Sequence, residues 1–166
     1  MKPALTLALA LLATPVAAQD LQYSDQATLQ CLQAAVGLSD KGGCIGLSAD
    51  ACMEATPDGG TTVGMGYCLD RELAFWDGML NQVYDTVRAK ARAVDAEMEE
   101  IGATVPKTEP ALRDMQRAWI PFRDATCDFE RAQWGGGTGG GPATLSCLLR
   151  ETAEQALYLS GAWIGE

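Results

Sequence analysis

Apolar side chains recur at steps of three and four residues along two long segments of the chain, which is the spacing of one face of an α-helix. The first segment carries the stripe Leu69, Leu73, Trp76, Leu80, Val83, Val87, Ala91, Val94, Met98 and Ile101. The second reads LRDMQRAWIPFRDATC, and its stripe is Leu112, Met115, Trp119, Phe122 and Thr126. Both segments predict amphipathic helices whose apolar faces must be covered by other parts of the chain.

Turn-forming residues separate these helices and predict a third. A PDGG turn at residues 57–60 precedes the first helix, which Gly102 is expected to stop. Pro110 opens the second helix and Pro121 is expected to kink it. After the glycine-rich loop at residues 135–141, Pro142 is expected to start a last helix with the inward stripe Leu145, Leu148, Leu149, Thr152, Ala156 and Leu159.

The pattern contains no strand of useful length and no internal repeat. The sequence therefore predicts an all-α fold, a disulfide-stapled antiparallel bundle of three main helices with a short N-terminal extension. We divide the chain into a signal peptide at residues 1–18, a cystine-bearing extension at residues 19–60 and a helical domain at residues 61–166.

Export is predicted from the N-terminus. Lys2 precedes a short apolar run at residues 4–13, and small side chains stand before Gln19, as in a secretory signal peptide. Cleavage near Ala18 would release the mature chain into the periplasm or the extracellular space. The apolar run is too short to span a bilayer and no stop-transfer segment follows it, so no membrane insertion is expected.

Six cysteines in an exported chain predict three disulfides. Six cysteines allow many pairings, and sequence does not determine which of them forms. Local spacing favours consecutive pairs, each closing a loop worth about 3 kcal/mol in the chain-entropy account. The expected pairs are Cys31–Cys44, Cys52–Cys68 and Cys127–Cys147.

Charge and composition narrow the function. The chain has 22 acidic and 12 basic side chains and no histidine, which gives a formal net charge of −10. Such a protein repels nucleic acid and attracts cationic partners, although acidity also serves solubility. Without histidine, and with all cysteines oxidised, the commonest general base, thiolate nucleophile and zinc ligands are missing. We therefore expect no metal, no other cofactor and no enzymatic activity.

Isolated features of the sequence invite other interpretations. Two carboxylates can hydrolyse a glycosidic bond, but acid pairs arise by chance in so acidic a chain, and we interpret them as solvated helix faces: Asp70/Glu72, Glu99/Glu100 and Asp124/Asp128. The glycine loop lacks the phosphate-binding pattern and is interpreted as a linker. Trp76 and Trp119 are expected in the core, whereas Trp134, beside the glycine loop, is the candidate surface anchor.

A polar cluster borders the two long predicted helices. Asp77, Asn81 and Tyr84 share one face of the first helix, and Gln116 and Arg123 lie on the second. An arginine–carboxylate pair between the helices, completed by the amide side chains, would fix their register. The alternative interpretation of this cluster is a ligand site.

Two spaced patterns stand on the same helices. The first, D-x-x-LN-x-x-Y, is met by Asp77, Leu80, Asn81 and Tyr84. The second, L-x-x-x-Q-x-x-W-[IL]-x-F-R-D-x-x-C, is met by Leu112, Gln116, Trp119, Ile120, Phe122, Arg123, Asp124 and Cys127. In these segments the chain resembles the LprI-like lysozyme-inhibitor domain, and the similarity continues through Gly136, Gly137, Cys147 and Thr152. It covers residues 52–159, so Cys31 and Cys44 lie outside it, and Glu154 and Gln155 stand where that family often has an arginine.

The resemblance implies an exported, disulfide-bonded helical domain that inhibits lysozyme by binding it. Lysozymes are commonly strongly cationic, and a c-type lysozyme is the expected partner of this acidic chain. Loops at the end of a rigid bundle are well placed to bind, so the candidate contact residues are Asp58, Trp134, Gly136 and Gly137. Two alternatives remain: an adaptor that binds another cell-envelope protein without affecting lysozyme, and a peptidoglycan-active enzyme that depends on one essential acid.

Overall fold

The computed structural model describes residues 22–162, which form six α-helices and no β-strand. In chain order these are α1 (Gln26–Ala34), α2 (Leu38–Gly42), α3 (Leu47–Ala55), α4 (Thr62–Glu100), α5 (Thr108–Ala132) and α6 (Gly140–Ser160). The all-α class is confirmed, but the described chain holds more helices than the three main ones predicted. None of the six is both long and apolar enough to cross a bilayer. The predicted signal peptide lies outside the described residues.

The longest helix, α4, turns its predicted stripe inward: each stripe residue from Leu69 to Met98 is buried or partly buried. Ile101, just past the end of the helix, is 67 % exposed, so its assignment to the buried stripe was wrong. Thr61 caps it by accepting a hydrogen bond from the Gly64 backbone N–H at 3.1 Å. Gly78 is exposed, and the helix continues past it without interruption. The fully buried apolar side chains of α4 beyond its first turns are Trp76, Leu80, Val87 and Ala91.

Helix α5 turns a different face to the core from the one predicted. Leu112 is buried and Trp119 is partly buried, but Phe122 is 63 % exposed, so its placement in the core was wrong. The inward stripe instead reaches Cys127, which is buried in its disulfide with α6. Because 3.6 residues complete a turn, a helix anchored through Cys127 rotates Phe122 outward. The helix continues through Pro121.

Helix α6 lies between α4 and α5 and is the most deeply buried of the long helices. It begins at Gly140, two residues earlier than expected, and most of its predicted inward stripe is buried. Gln155 is also buried there and donates to Gln116 of α5 at 2.9 Å, which ties the two helices together by a polar contact within the core.

The three predicted disulfides are confirmed. They join Cys31 to Cys44, Cys52 to Cys68, and Cys127 to Cys147, and no cysteine among the described residues is free. The first lies within the extension, the second joins α3 to α4, and the third joins α5 to α6. Each disulfide thus connects neighbouring parts of the chain.

A buried carboxylate attaches the extension to α4. Glu72 is 0 % exposed, and its Oε2 accepts the Ala49 backbone N–H at 2.6 Å. Its Oε1 accepts the Gly46 N–H at 2.9 Å, the Thr28 hydroxyl at 2.8 Å and the Trp76 indole N–H at 3.1 Å. Gly46, at φ +94°, begins α3 without a capping side chain, so Glu72 serves as the helix cap from outside. The interpretation of Glu72 as part of a solvated face was wrong.

Candidate interaction surfaces

Trp134 stands where α5 gives way to the glycine-rich loop, and it is 54 % exposed. Its ring lies against the Gly139 backbone so closely that a Cβ at position 139 would overlap the ring. Gly139 therefore permits the position of Trp134, while Gly136 and Gly137 are exposed in the loop between them. The glycine loop is thus shaped around the candidate anchor.

The turn before α4 lies at the same end of the molecule. Gly59 contacts the Met53 backbone at the end of α3, and Gly64 packs against the carbonyl of Asp58. Close backbone packing of this kind leaves no room for side chains at either glycine. We call this end, formed by residues 56–61 and 133–139, the loop end.

An apolar groove of about 370 Å³ opens at the loop end. Its apolar lining comes from α3, α4, the glycine loop and the start of α6, and Asp50 stands among the lining residues. The apolar side chains are Met53, Met65, Leu69, Trp134, Pro142 and Ala143. The structure therefore brings Trp134 together with Met53 and Met65, which no sequence pattern singles out, because these residues come from segments that meet only in the fold.

Charge is distributed unevenly along the molecule. Residues 22–77, which make up the extension and the first part of α4, carry eight acidic and two basic side chains. Residues 78–122, at the opposite end, carry seven acidic and six basic side chains. The excess negative charge is therefore concentrated on the half of the molecule that contributes to the loop end.

The polar residues predicted to cross between α4 and α5 do not form the expected ion pair. Asp77 accepts a hydrogen bond from Asn81 of its own helix at 3.1 Å, and Arg123 pairs with its neighbour Asp124 at 2.8 Å. The guanidinium of Arg123 also lies 5.0 Å from the ring centroid of Trp119. Because Arg123 is held by its own helix, the predicted register-fixing pair with Asp77 was wrong.

Asp77 and Arg123 nevertheless face one cleft. They line a space of about 250 Å³ between α4, α5 and α6, together with Asp70, Leu73, Ala74 and Leu148. Other patterned residues serve the interior: Leu80 is buried, Tyr84 is packed against the core and Gln116 accepts from Gln155. The two sequence patterns thus supply both core contacts and one small polar cleft.

Ion pairs between the long helices are made by other residues. Arg88 of α4 donates to Glu109 of α5 at 2.8 Å, and this bond lowers the pKa of the Glu109 carboxyl. Arg150 of α6 donates to Glu130 of α5 at 2.7 Å, which raises the pKa of the Arg150 guanidinium. Arginine–carboxylate pairs do link these helices, but neither involves the residues singled out from the sequence.

Residues 22–162 contain no group of three or more His, Cys, Asp or Glu side chains arranged to hold a metal ion. Within the same residues, apolar side chains are presented to a partner at two places: the groove at the loop end, and Phe122 and Phe129 on the exposed side of α5.

Comparison with known proteins identifies the family of this chain. It is 26 % identical over 140 residues to an uncharacterized 17.7 kDa protein of Rhodobacter capsulatus, covering 84 % of this chain and 86 % of that one. It is 32 % identical over 92 residues to an uncharacterized protein of Rhizobium meliloti, covering 55 % of this chain and 66 % of that one. No solved structure matches significantly. The family model for lysozyme inhibitor LprI matches residues 52–159, and the chain belongs to that family.

Proposed function

We propose that this protein inhibits a lysozyme, with a c-type lysozyme as its target, by binding the enzyme at the loop end. The observation that carries the proposal is the match to the lysozyme-inhibitor family over residues 52–159. Three disulfides are typical of a protein exported to an oxidising compartment, and such a compartment is where it would meet a lysozyme. The choice of the loop end rests on its charge, its groove and its rigidity.

Charge favours an approach through the loop end. A cationic enzyme is attracted by the acid-rich half of the molecule over about 10 Å at moderate ionic strength. This attraction raises the association rate more than it slows dissociation. Asp50 and Glu54 of α3 are both exposed there, so they are available to a basic partner.

The groove offers a place for an apolar side chain of the enzyme. Trp and Met are enriched at the centres of protein interfaces, where they exclude water and carry much of the binding energy. Trp134 presents about half of its surface, and Met53 and Met65 can adapt to the shape of an inserted group.

The loop end is held in place before it binds. Cys52–Cys68 and the Glu72 cap both fix α3 to α4, and Trp134 is seated on Gly139. Binding to a preformed surface loses less conformational entropy than binding that must order a loop. The scaffold therefore supports tight association with a modest contact area.

The charge contribution is tested with two matched double variants. Asp50→Asn/Glu54→Gln and Glu97→Gln/Glu100→Gln each remove two negative charges from exposed helix positions, at the loop end and at the opposite end. In a lysozyme activity assay, the first should weaken inhibition by about five- to tenfold at low salt, and the second by less than about twofold. The difference should shrink as salt is raised.

The groove is tested with three variants. Trp134→Ala should weaken inhibition by about 30-fold, as expected for an interface anchor. Gly139→Ala should have a similar effect, because its Cβ displaces the Trp134 ring, whereas Gly78→Ala adds a methyl group in open space and should leave inhibition unchanged. Circular dichroism and melting temperature establish that each variant is folded.

Two outcomes would contradict the proposal at different levels. If every loop-end variant inhibited as well as the natural chain, the binding surface would lie elsewhere on the molecule. If a large molar excess of purified protein left a c-type lysozyme fully active at low salt, the inhibitor function would be wrong for that class of enzyme. A role as a cell-envelope adaptor would then be tested by cross-linking in whole cells.

A further inference from the structure

We infer that Met65 is a modification site, at which oxidation of the thioether to a sulfoxide by a peroxide weakens binding at the loop end. The inference rests on the proposed function and concerns the same groove. Met65 lies in the first turn of α4, where it is partly exposed, and lines the groove with Met53 and Trp134. The groove encloses about 370 Å³. A reagent the size of water, which occupies about 30 Å³ in the liquid, can therefore enter it.

The cysteines of the chain leave no thiol for an oxidant to attack. All six lie within the described residues and form three disulfides, and none of them is free. Thiolates are the side chains that a peroxide usually oxidises, and the methionine thioether is the other common target. We therefore expect oxidation of this chain to fall on its methionines.

The methionines differ in their surroundings. Three of the five within residues 22–162 are packed against the core: Met53, Met79 and Met115. Met65 and Met98 are partly exposed and are not among those packed against it. Susceptibility to oxidation follows exposure, so Met65 and Met98 should be oxidised first. Only Met65 lines the groove, because Met98 lies about 50 Å further along α4.

The modification is the transfer of a single oxygen atom. The lone pair of the methionine sulfur attacks one oxygen of hydrogen peroxide, so that the S–O bond forms as the O–O bond breaks. The departing hydroxide takes up the proton that the transferred oxygen releases and leaves as water. The sulfur is oxidised by two electrons and the peroxide is reduced by two, so the peroxide is the only co-reactant.

The sulfoxide changes what the groove can bind. A thioether is apolar and adapts to the shape of its neighbours, whereas a sulfoxide is polar and its oxygen accepts hydrogen bonds. An apolar side chain of the enzyme seated in the groove would exclude water from that oxygen and offer it no donor. We therefore expect oxidation of Met65 to weaken inhibition by about tenfold.

Limited treatment of the purified chain with hydrogen peroxide tests the inference. Peptide mapping by mass spectrometry follows each methionine, and catalase removes the peroxide before a c-type lysozyme is added. When Met65 and Met98 are oxidised and the three core-packed methionines are not, inhibition should be about tenfold weaker, with circular dichroism and melting temperature unchanged. Methionine sulfoxide reductases A and B, one for each sulfoxide epimer, should then restore inhibition.

Two matched variants assign the effect to one sulfur. Met65→Leu and Met98→Leu each replace a thioether of α4 by an apolar side chain of similar volume. The measured quantity for each chain is its inhibition after peroxide divided by its inhibition before. This ratio should stay near one for Met65→Leu, and should fall about tenfold for Met98→Leu, as it does for the natural chain.

Protection from peroxide gives a second readout that does not depend on enzyme activity. A lysozyme bound at the loop end covers the groove, so a saturating amount of enzyme should slow the oxidation of Met65 by about fivefold or more. The rate of oxidation at Met98 should not change, because that residue lies far from the loop end. Equal rates at Met65 with and without an enzyme that is fully inhibited would overturn the inference.

The untreated chain separates this inference from the proposed function. If it inhibits lysozyme and the chain oxidised at Met65 inhibits equally well, the inference is wrong while the proposed function stands. An equal loss of inhibition in Met65→Leu and the natural chain after peroxide would also overturn the inference, because another residue would then be responsible. An untreated chain that leaves the enzyme fully active would contradict both.

Discussion

Helix α4 offers a carboxylate to the start of another helix at each of its ends. Glu72 accepts the Ala49 N–H at the start of α3. Asp95 accepts the N–H groups of Thr108 and Glu109 at the start of α5, at 2.7 and 2.9 Å. Neither α3 nor α5 has a capping side chain of its own, so the same device appears twice in one helix.

The surroundings of the two caps differ. Glu72 is fully buried and is surrounded by four donors, none of which is a cationic side chain. Asp95 is partly exposed, and Lys107 stands close enough to donate to its backbone carbonyl at 3.1 Å. A buried carboxylate cannot exchange its donors for water, whereas a partly exposed one can. We therefore expect Glu72 to determine whether the extension docks, and Asp95 only to adjust stability.

The largest effect is expected at the buried cap. Glu72→Ala leaves the Gly46, Ala49 and Trp76 N–H groups without their acceptor and should lower the free energy of unfolding by about 3–5 kcal/mol. Glu72→Gln keeps one oxygen acceptor but turns an N–H toward one donor, so the free energy of unfolding should fall by less than in Glu72→Ala. Chemical denaturation measures both, with the exposed Asp70→Ala as control. A loss below 1 kcal/mol for Glu72→Ala would refute the distinction between the caps.

The disulfide beside this cap should act together with it. Removing the Cys52–Cys68 bond with two serines should cost about 2–5 kcal/mol. Because both the bond and Glu72 hold α3 on α4, combining the change with Glu72→Gln should depart from additivity by more than about 0.5 kcal/mol. The Cys127–Cys147 bond holds other helices, so its removal should add to Glu72→Gln without coupling. Equal coupling for both disulfides would show that the extension is not a separate unit of stability.

Backbone packing at the loop end predicts a third effect. A Cβ at Gly64 would overlap the Asp58 carbonyl and the backbone of Gly59, neither of which can move as a side chain does. Gly64→Ala should therefore lower stability by about 1–3 kcal/mol. Gly60→Ala meets nothing within contact distance and should be close to neutral. Similar melting temperatures for the two variants would show that the turn yields easily.

The smallest effect is expected at the exposed cap, and it depends on pH. The N–H groups of Thr108 and Glu109 lower the pKa of the Asp95 carboxyl. Its contribution to stability is thus present above about pH 4, the ordinary range of aspartate, and is lost as pH falls further. Asp95→Asn should lower the melting temperature slightly at pH 7. Below pH 4, the melting temperature of this variant should fall less steeply with pH than that of the natural chain. The exposed Asp85→Asn is the control; identical acid profiles for Asp95→Asn and the natural chain would contradict the cap.

Periodicity predicted the long helices well, because their apolar faces repeat over many turns. Trp76, Leu80 and Val87 lie in the core as their spacing required. The consecutive disulfides also followed from spacing, since short loops favour local pairing. These are properties of neighbouring residues, and the sequence displays them directly.

The spacing of residues along the chain could not predict contacts between distant segments. Glu72 looked like any acid on a helix, and its burial depends on backbone N–H groups of a segment more than twenty residues earlier. Phe122 fell on an apolar stripe by steps of three and four, but the Cys127 anchor rotated it outward. Met53 and Met65 had no pattern at all. In each case the deciding partner lay on another element.

The disulfide connectivity also bears on how the protein is made. The six cysteines pair in chain order, the first with the second, the third with the fourth and the fifth with the sixth, so no pair encloses or overlaps another. In a chain that enters an oxidising compartment N-terminus first, each newly arrived pair of cysteines is already the correct pair. An oxidase that simply joins successive thiols would reach this connectivity, with no reshuffling step, which is the slow part of oxidative folding. We therefore expect the three disulfides to form with a thiol oxidase alone, without a disulfide isomerase.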